Sequence, residues 1–244
     1  MSQTQLVSMW PVLALALLHL FAGRLVFLSG TPRSIWLSLA GGVSVAYIFL
    51  HLFPELGAGQ ALVEAAAGAF GWLEHHVYLM ALTGLVVFYG LERLVTTQRR
   101  QAKAGPEAEA NPGVFWLHIG SFAIYNALIG YLLYQREEEA TRQLLLFALA
   151  MALHFVVNDF GLQQHHAQAY RRRGRWVLVA ALVLGWATGL VVELPEAAIA
   201  LLTAFIGGGV VLNVLKEELP KERESRYWAF LLGASAYAVL LLAL

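Results

Sequence analysis

Eight predominantly apolar stretches, each about as long as a membrane-crossing helix, follow one another along the chain with little sequence between them. They fall near residues 6–28, 35–53, 76–93, 114–134, 143–160, 176–192, 196–216 and 227–244. A hydrocarbon layer about 30 Å thick is crossed by about 20 helical residues, and backbone N–H and C=O groups in lipid must be satisfied within the helix itself. The pattern predicts an all-α integral membrane protein, an eight-transmembrane-helix bundle. Composition agrees: 59% of the 244 residues are apolar and 13% charged, against about 45–50% and 25% in soluble domains. A mean hydropathy of +0.64 argues against a disordered chain, a soluble enzyme and a nucleic-acid partner. The net charge is zero, and the lack of cysteine removes disulfides, thiolate metal sites and cysteine nucleophiles.

The first stretch reads as a mature span and not as a secretory signal. No basic residue precedes it, it is too long, and no small-residue cleavage site stands before Arg24. The longest polar connection, residues 96–112, is a flexible link within one domain covering residues 1–244. Residues 61–72, apolar but rich in alanine and glycine, are expected to lie along the interface as a short helix.

Basic residues orient the bundle, because they favour the cytoplasmic side. Arg24 and Arg33 follow span 1; Arg93, Arg99, Arg100 and Lys103 follow span 3; Arg171, Arg172, Arg173 and Arg175 follow span 5; Lys216, Lys221, Arg223 and Arg226 follow span 7. These loops hold fourteen of the sixteen basic residues, which places both termini outside with eight crossings between them.

Ionisable and amide groups at bilayer depth cost a few kcal/mol on insertion scales and are expected to face inward. Span 2 carries Ser44, Tyr47, His51 and Glu55 at spacings that share one helical stripe, with Pro54 closing the helix at the outer face. Span 4 carries His118 near its inner end and Asn126 near its middle; span 5 carries His154, Asn158 and Asp159; span 7 carries Asn213, then Glu217 and Glu218. A histidine and an oxygen ligand four residues apart can reach one divalent cation, and Asn126 from a neighbouring helix could join them. An interhelical hydrogen-bond cluster explains the same residues equally well.

Other features have plainer readings. His19 stands alone on span 1 and is expected to hydrogen-bond a neighbour; His75 and His76 sit at a headgroup boundary, and His165 and His166 in a solvated loop. Residues 171–175 are expected to contact anionic lipid. Gly41, Gly42 and residues 207–209 are expected to let helices approach closely, and Trp10, Trp72 and Trp228 to anchor span ends at the interface.

At this point the sequence resembles the ZIP (Zrt/Irt-like) divalent-metal transporters. His51, Leu52, Phe53, Pro54 and Glu55 match the family's His-Leu-hydrophobic-Pro-Glu ending of span 2; residues 207–222 look like its small-residue seventh span with an acidic-Leu-Pro ending; residues 231–241 are similar to its glycine-containing last helix. The metal motifs of spans 4 and 5 match less. Asn126 and Gly130 fit where the family's histidine, proline and acid do not; His154 fits a ligand position, and Asn158 takes that of a second ligand.

The resemblance implies transport of a divalent cation, zinc foremost, as substrate and without a prosthetic group, at a single midplane site of His154, Asn158, Asn126 and Asp159. His51 and Glu55 would serve the outer entrance, and His118 the inner exit. Expected partners are the cation and the lipid bilayer, with a homodimer as an option and no enzymatic activity. Two other readings stand beside it: a ZIP-like scaffold or sensor without transport, and an intramembrane metal-dependent hydrolase.

Overall fold

The computed structural model describes residues 3–21, 34–67, 76–103, 112–135, 141–218 and 226–243. Residues 22–28 of the first expected span, 68–72 of the expected interfacial segment, 104–111 of the polar link, His75, and the basic residues Arg24, Arg33, Arg136, Lys221 and Arg223 lie outside the described residues. The described chain is helical, with no strand among the described residues. Its helices are α1 (Gln3–Phe21), α2 (Ile35–Tyr47), α3 (Phe53–Ala67), α4 (His76–Lys103), α5 (Pro112–Gln135), α6 (Thr141–Ala169), α7 (Arg175–Gly189), α8 (Glu196–Glu218) and α9 (Tyr227–Ala243). Among the described residues, five helical segments are long and apolar enough to cross a membrane: Ile35–Ala66, His76–Leu94, Phe115–Gln135, Leu144–Gln163 and Glu196–Lys216. Val7–Phe21 and Tyr227–Leu242 are shorter apolar helices.

Polarity is distributed as lipid demands and water does not. Trp36, Phe49, Leu82, Ile124 and Leu184 face outward, while His19, His118, Asn126, His154 and Asp159 are buried. The apolar exterior and polar interior are those of a multi-pass membrane protein.

Three helix pairs form the frame: α2 with α9, α4 with α8, and α5 with α7. Each pair runs parallel; Ser38 meets Arg226 at one end of α2 and α9, and Tyr47 meets Tyr237 further along. The three seams share one construction. A Cβ added at Gly42 would fall on the carbonyl oxygen of Phe230, three residues before Gly233, and one added at Gly233 would fall on that of Leu39, three before Gly42. Gly84 and Gly208 meet the carbonyls of Phe205 and Ala81 in the same reciprocal way, and Gly130 and Gly185 those of Leu182 and Ala127. Lipid tails are as apolar as leucine, so helices in a bilayer gain from backbone approach and Cα–H···O contacts, which only a missing side chain permits. The expectation for Gly42 and for the 207–209 run is met at Gly42 and Gly208.

Span 2 does not end at Pro54. The helix runs on through α3 to Ala67, joined to α2 by a π-helical turn at Ile48–Leu52 in which the Phe53 N–H reaches the Ile48 carbonyl. Proline has no N–H for the carbonyl four residues back and its ring crowds that turn. A widened turn just before it absorbs both defects without stopping the helix.

A second π-helical turn, Tyr170–Gly174, lies where the chain reverses between α6 and α7. His19 Nδ1 is 2.8 Å from Asp159 Oδ2, and Arg175 donates to the carbonyl of Leu20, the next residue of α1, at 3.2 Å. Asp159 and Arg175 therefore lie at one level, whereas 16 residues of unbroken helix would part them by about 24 Å. The basic residues Arg171, Arg172, Arg173, Arg175, Lys216 and Arg226 gather at this end of the bundle, called here the basic end.

At the far end Tyr131 fastens the connection from α7 to α8. Its hydroxyl donates to the Val192 carbonyl at 3.2 Å and accepts from the Leu194 N–H at 3.2 Å and Gln135 Nε2 at 2.9 Å. Tyr131→Phe strands partly buried backbone groups and is expected to cost about 1–3 kcal/mol. The check is thermal unfolding of the purified protein in detergent.

Candidate functional site

The polar interior falls into four groups, set by which helix faces which. At the far end a cavity of about 520 Å³ opens between the α2–α3 helix and α8, lined by His51, Glu55, Glu196 and Thr203 among apolar residues. His51 and Glu55, one turn apart, hold their Nε2 and Oε2 atoms 3.9 Å from each other. The expected stripe continues inward from His51, whose ring stacks on Tyr47 with centroids 5.3 Å apart. Ser44, next on the stripe, is turned to the Ala40 carbonyl at 3.0 Å, a bond within its own helix.

Tyr47 and Tyr125, the latter on α5, belong to one buried cluster, and the Tyr125 hydroxyl is 3.3 Å from His154 Nε2 on α6. Asn158 Nδ2 donates to the same nitrogen at 2.9 Å. His154 Nε2 is thus the acceptor, so its proton sits on Nδ1. The predicted pairing of His154 with Asn158 across one helical turn is present. Tyr125, which the sequence did not single out as a site residue, extends it toward the far-end cavity; its place directly before Asn126 was the available signal.

Asn126 and Asp159 stand in a different cluster, whose hub is His19. Asn126 Nδ2 donates to the Phe122 carbonyl at 2.8 Å, which turns Oδ1 toward His19 Nε2, also at 2.8 Å. His19 Nε2 must therefore carry a proton, and one further proton lies between Nδ1 and Asp159 Oδ2. Histidine, acid and amide come from α1, α6 and α5 and are almost wholly buried. Tyr170 lies against the same acid; burial, and then the Asp159 carboxylate, push its hydroxyl well above the ordinary tyrosine value. His19 does hydrogen-bond a neighbour, as expected, but it holds two. The four residues expected as one metal site are therefore divided, His154 with Asn158 and Asn126 with Asp159. The Phe155 ring borders both groups, 4.5 Å from the His19 ring and 6.4 Å from that of His154.

The fourth group is at the basic end. His118 Nε2 lies 3.9 Å from Glu92 Oε2, and Lys216 Nζ lies 3.0 Å from Glu92 Oε1. It joins α5, α4 and α8, and of its members the sequence singled out only His118 as a site residue. Among the described residues no three of histidine, cysteine, aspartate and glutamate converge as a metal shell. Amide and phenol oxygens complete the polar groups instead.

No protein-family model, no curated protein and no solved structure matches the chain.

Proposed function

We propose that the chain is a ZIP-like transporter of a divalent cation, zinc foremost, that crosses the plasma membrane eight times with both termini outside. The observation that carries this reading is the succession of polar side chains from the cavity inward: Glu55, His51 and Tyr47 on one helix, then Tyr125 in the same buried cluster as Tyr47, with His154 and Asn158 joined to it in turn. Carboxylates at the mouth, from Glu55 and Glu196, would gather cations, and His154 Nε2 would take one from them in exchange for its bonds to Asn158 and Tyr125. The glycine seams suit the mechanism, since parallel helices locked in pairs by backbone approach can move as units around a midplane site. His118 would then lie on the inner path.

Metal uptake into proteoliposomes, read with an internal fluorescent chelator, tests the reading with zinc, iron(II), manganese and cadmium. Saturable uptake is expected, reduced at least tenfold in His154→Ala. Uptake unaffected by that substitution removes His154 from the path, and no uptake of any metal by folded, inserted protein removes transport. A second reading, a ZIP-like scaffold or sensor without transport, is favoured by one observation: Asn126 and Asp159 already satisfy His19.

A further inference from the structure

Glu92 divides its two carboxylate oxygens between different cations-to-be. Oε1 is 3.0 Å from the Lys216 ammonium and Oε2 is 3.9 Å from the His118 imidazole. The three side chains form a gradient of exposure at the basic end: Lys216 at 36%, Glu92 at 24% and His118 at 5% relative side-chain accessibility. An imidazole faces the interior, a carboxylate sits at its mouth, and an ammonium on a long flexible stem covers the carboxylate from outside. They come from three helices, and α8, which carries the lysine, meets α4, which carries the acid, along the Gly84–Gly208 seam.

We propose that Glu92 and His118 form an inner divalent-cation site, and that the Lys216 ammonium holds the ion's place when the site is empty. A borderline cation binds imidazole nitrogen and carboxylate oxygen at about 2.0–2.2 Å each, so atoms 3.9 Å apart can share one ion with water filling the remaining positions. The Lys216 ammonium, 3.0 Å from the other oxygen of the same carboxylate, repels such an ion and competes with it for the carboxylate's charge. Binding therefore displaces Lys216, and departure of the ion lets it return. Two protein ligands make a weak site, suited to handing an ion on. The transport reading supplies the direction in which the ion leaves; the exchange of lysine for a cation stands on the geometry.

The test is cobalt(II) binding to the full-length protein in detergent, followed by visible absorption and equilibrium dialysis. Lys216→Gln is expected to bind one additional cobalt at least tenfold more tightly than the natural chain does at this place, and Lys216→Gln with Glu92→Gln to lose that gain. Binding unchanged by Lys216→Gln, or a gain that survives loss of Glu92, overturns the proposal. A second measurement needs no variant: acylation of Lys216, followed by mass spectrometry, is expected to quicken when zinc is added. A labelling rate indifferent to zinc also overturns it. Absent uptake with the cobalt gain intact would sink transport and leave the site, whereas uptake without the gain would do the reverse.

Discussion

Gly185→Ala is expected to lower the stability of the bundle by about 1–3 kcal/mol, the range for overfilling a closely packed interface. Its added methyl would fall on the Ala127 carbonyl oxygen, which belongs to helix backbone and cannot swing aside as a side chain could. α5 and α7 must part along the seam, and the Gly130 contact with Leu182 opens with it. Gly42→Ala and Gly208→Ala should behave alike, because the same reciprocal contact is built there. Gly90→Ala and Gly120→Ala are the controls: nothing lies within 4 Å of an added Cβ, and alanine in a helix is favoured over glycine by about 0.5–1 kcal/mol. Thermal unfolding in detergent should separate the two groups by several degrees in opposite directions. If seam and control glycines respond alike, the helices are not held by backbone approach.

The helices were legible because an apolar run of span length has few alternatives in lipid, and over the residues described the eight runs fall on helices, except that the sixth leaves its helix after Gly189. Spacing within one helix was equally legible: His51 and Glu55 do meet, as do His154 and Asn158. What one helix presents to another was not. His19 has no polar neighbour on α1, so its role appears only when α5 and α6 bring Asn126 and Asp159 to its two ring nitrogens. Spacing on α6 alone could not tell that Asp159 turns to α1 while His154 turns to Tyr125. Pro54 misled for a local reason, since the cost of a proline can be absorbed by a π-turn that no periodicity announces. Glu92 escaped notice because it lies among basic residues near a span end, where a carboxylate ordinarily meets water.

His19→Ala and Asp159→Asn are expected to part company, and their difference separates a structural cluster from a working site. His19→Ala removes the partner of a buried acid and of Asn126 together. Breaking such a pair from one side costs about 3–5 kcal/mol, since the remaining group is left in a low-dielectric interior without compensation. Little folded protein should be recovered, with early aggregation on size exclusion. Asp159→Asn keeps the shape, and its amide can donate to the Nδ1 of a neutral His19 whose Nε2 proton still serves Asn126. That variant loses the charge and keeps the hydrogen bonds, so its unfolding temperature should stay within a few degrees of the natural chain. Under the transport reading a divalent cation needs the carboxylate to offset its charge, and the stable Asp159→Asn protein should show metal uptake reduced at least tenfold. Full uptake by that variant would make His19, Asn126 and Asp159 a strut between α1, α5 and α6, and would confine the cation path to the side of His154. Collapse of Asp159→Asn as severe as that of His19→Ala would instead mean that the ion pair itself, with its proton on the histidine, holds the three helices together.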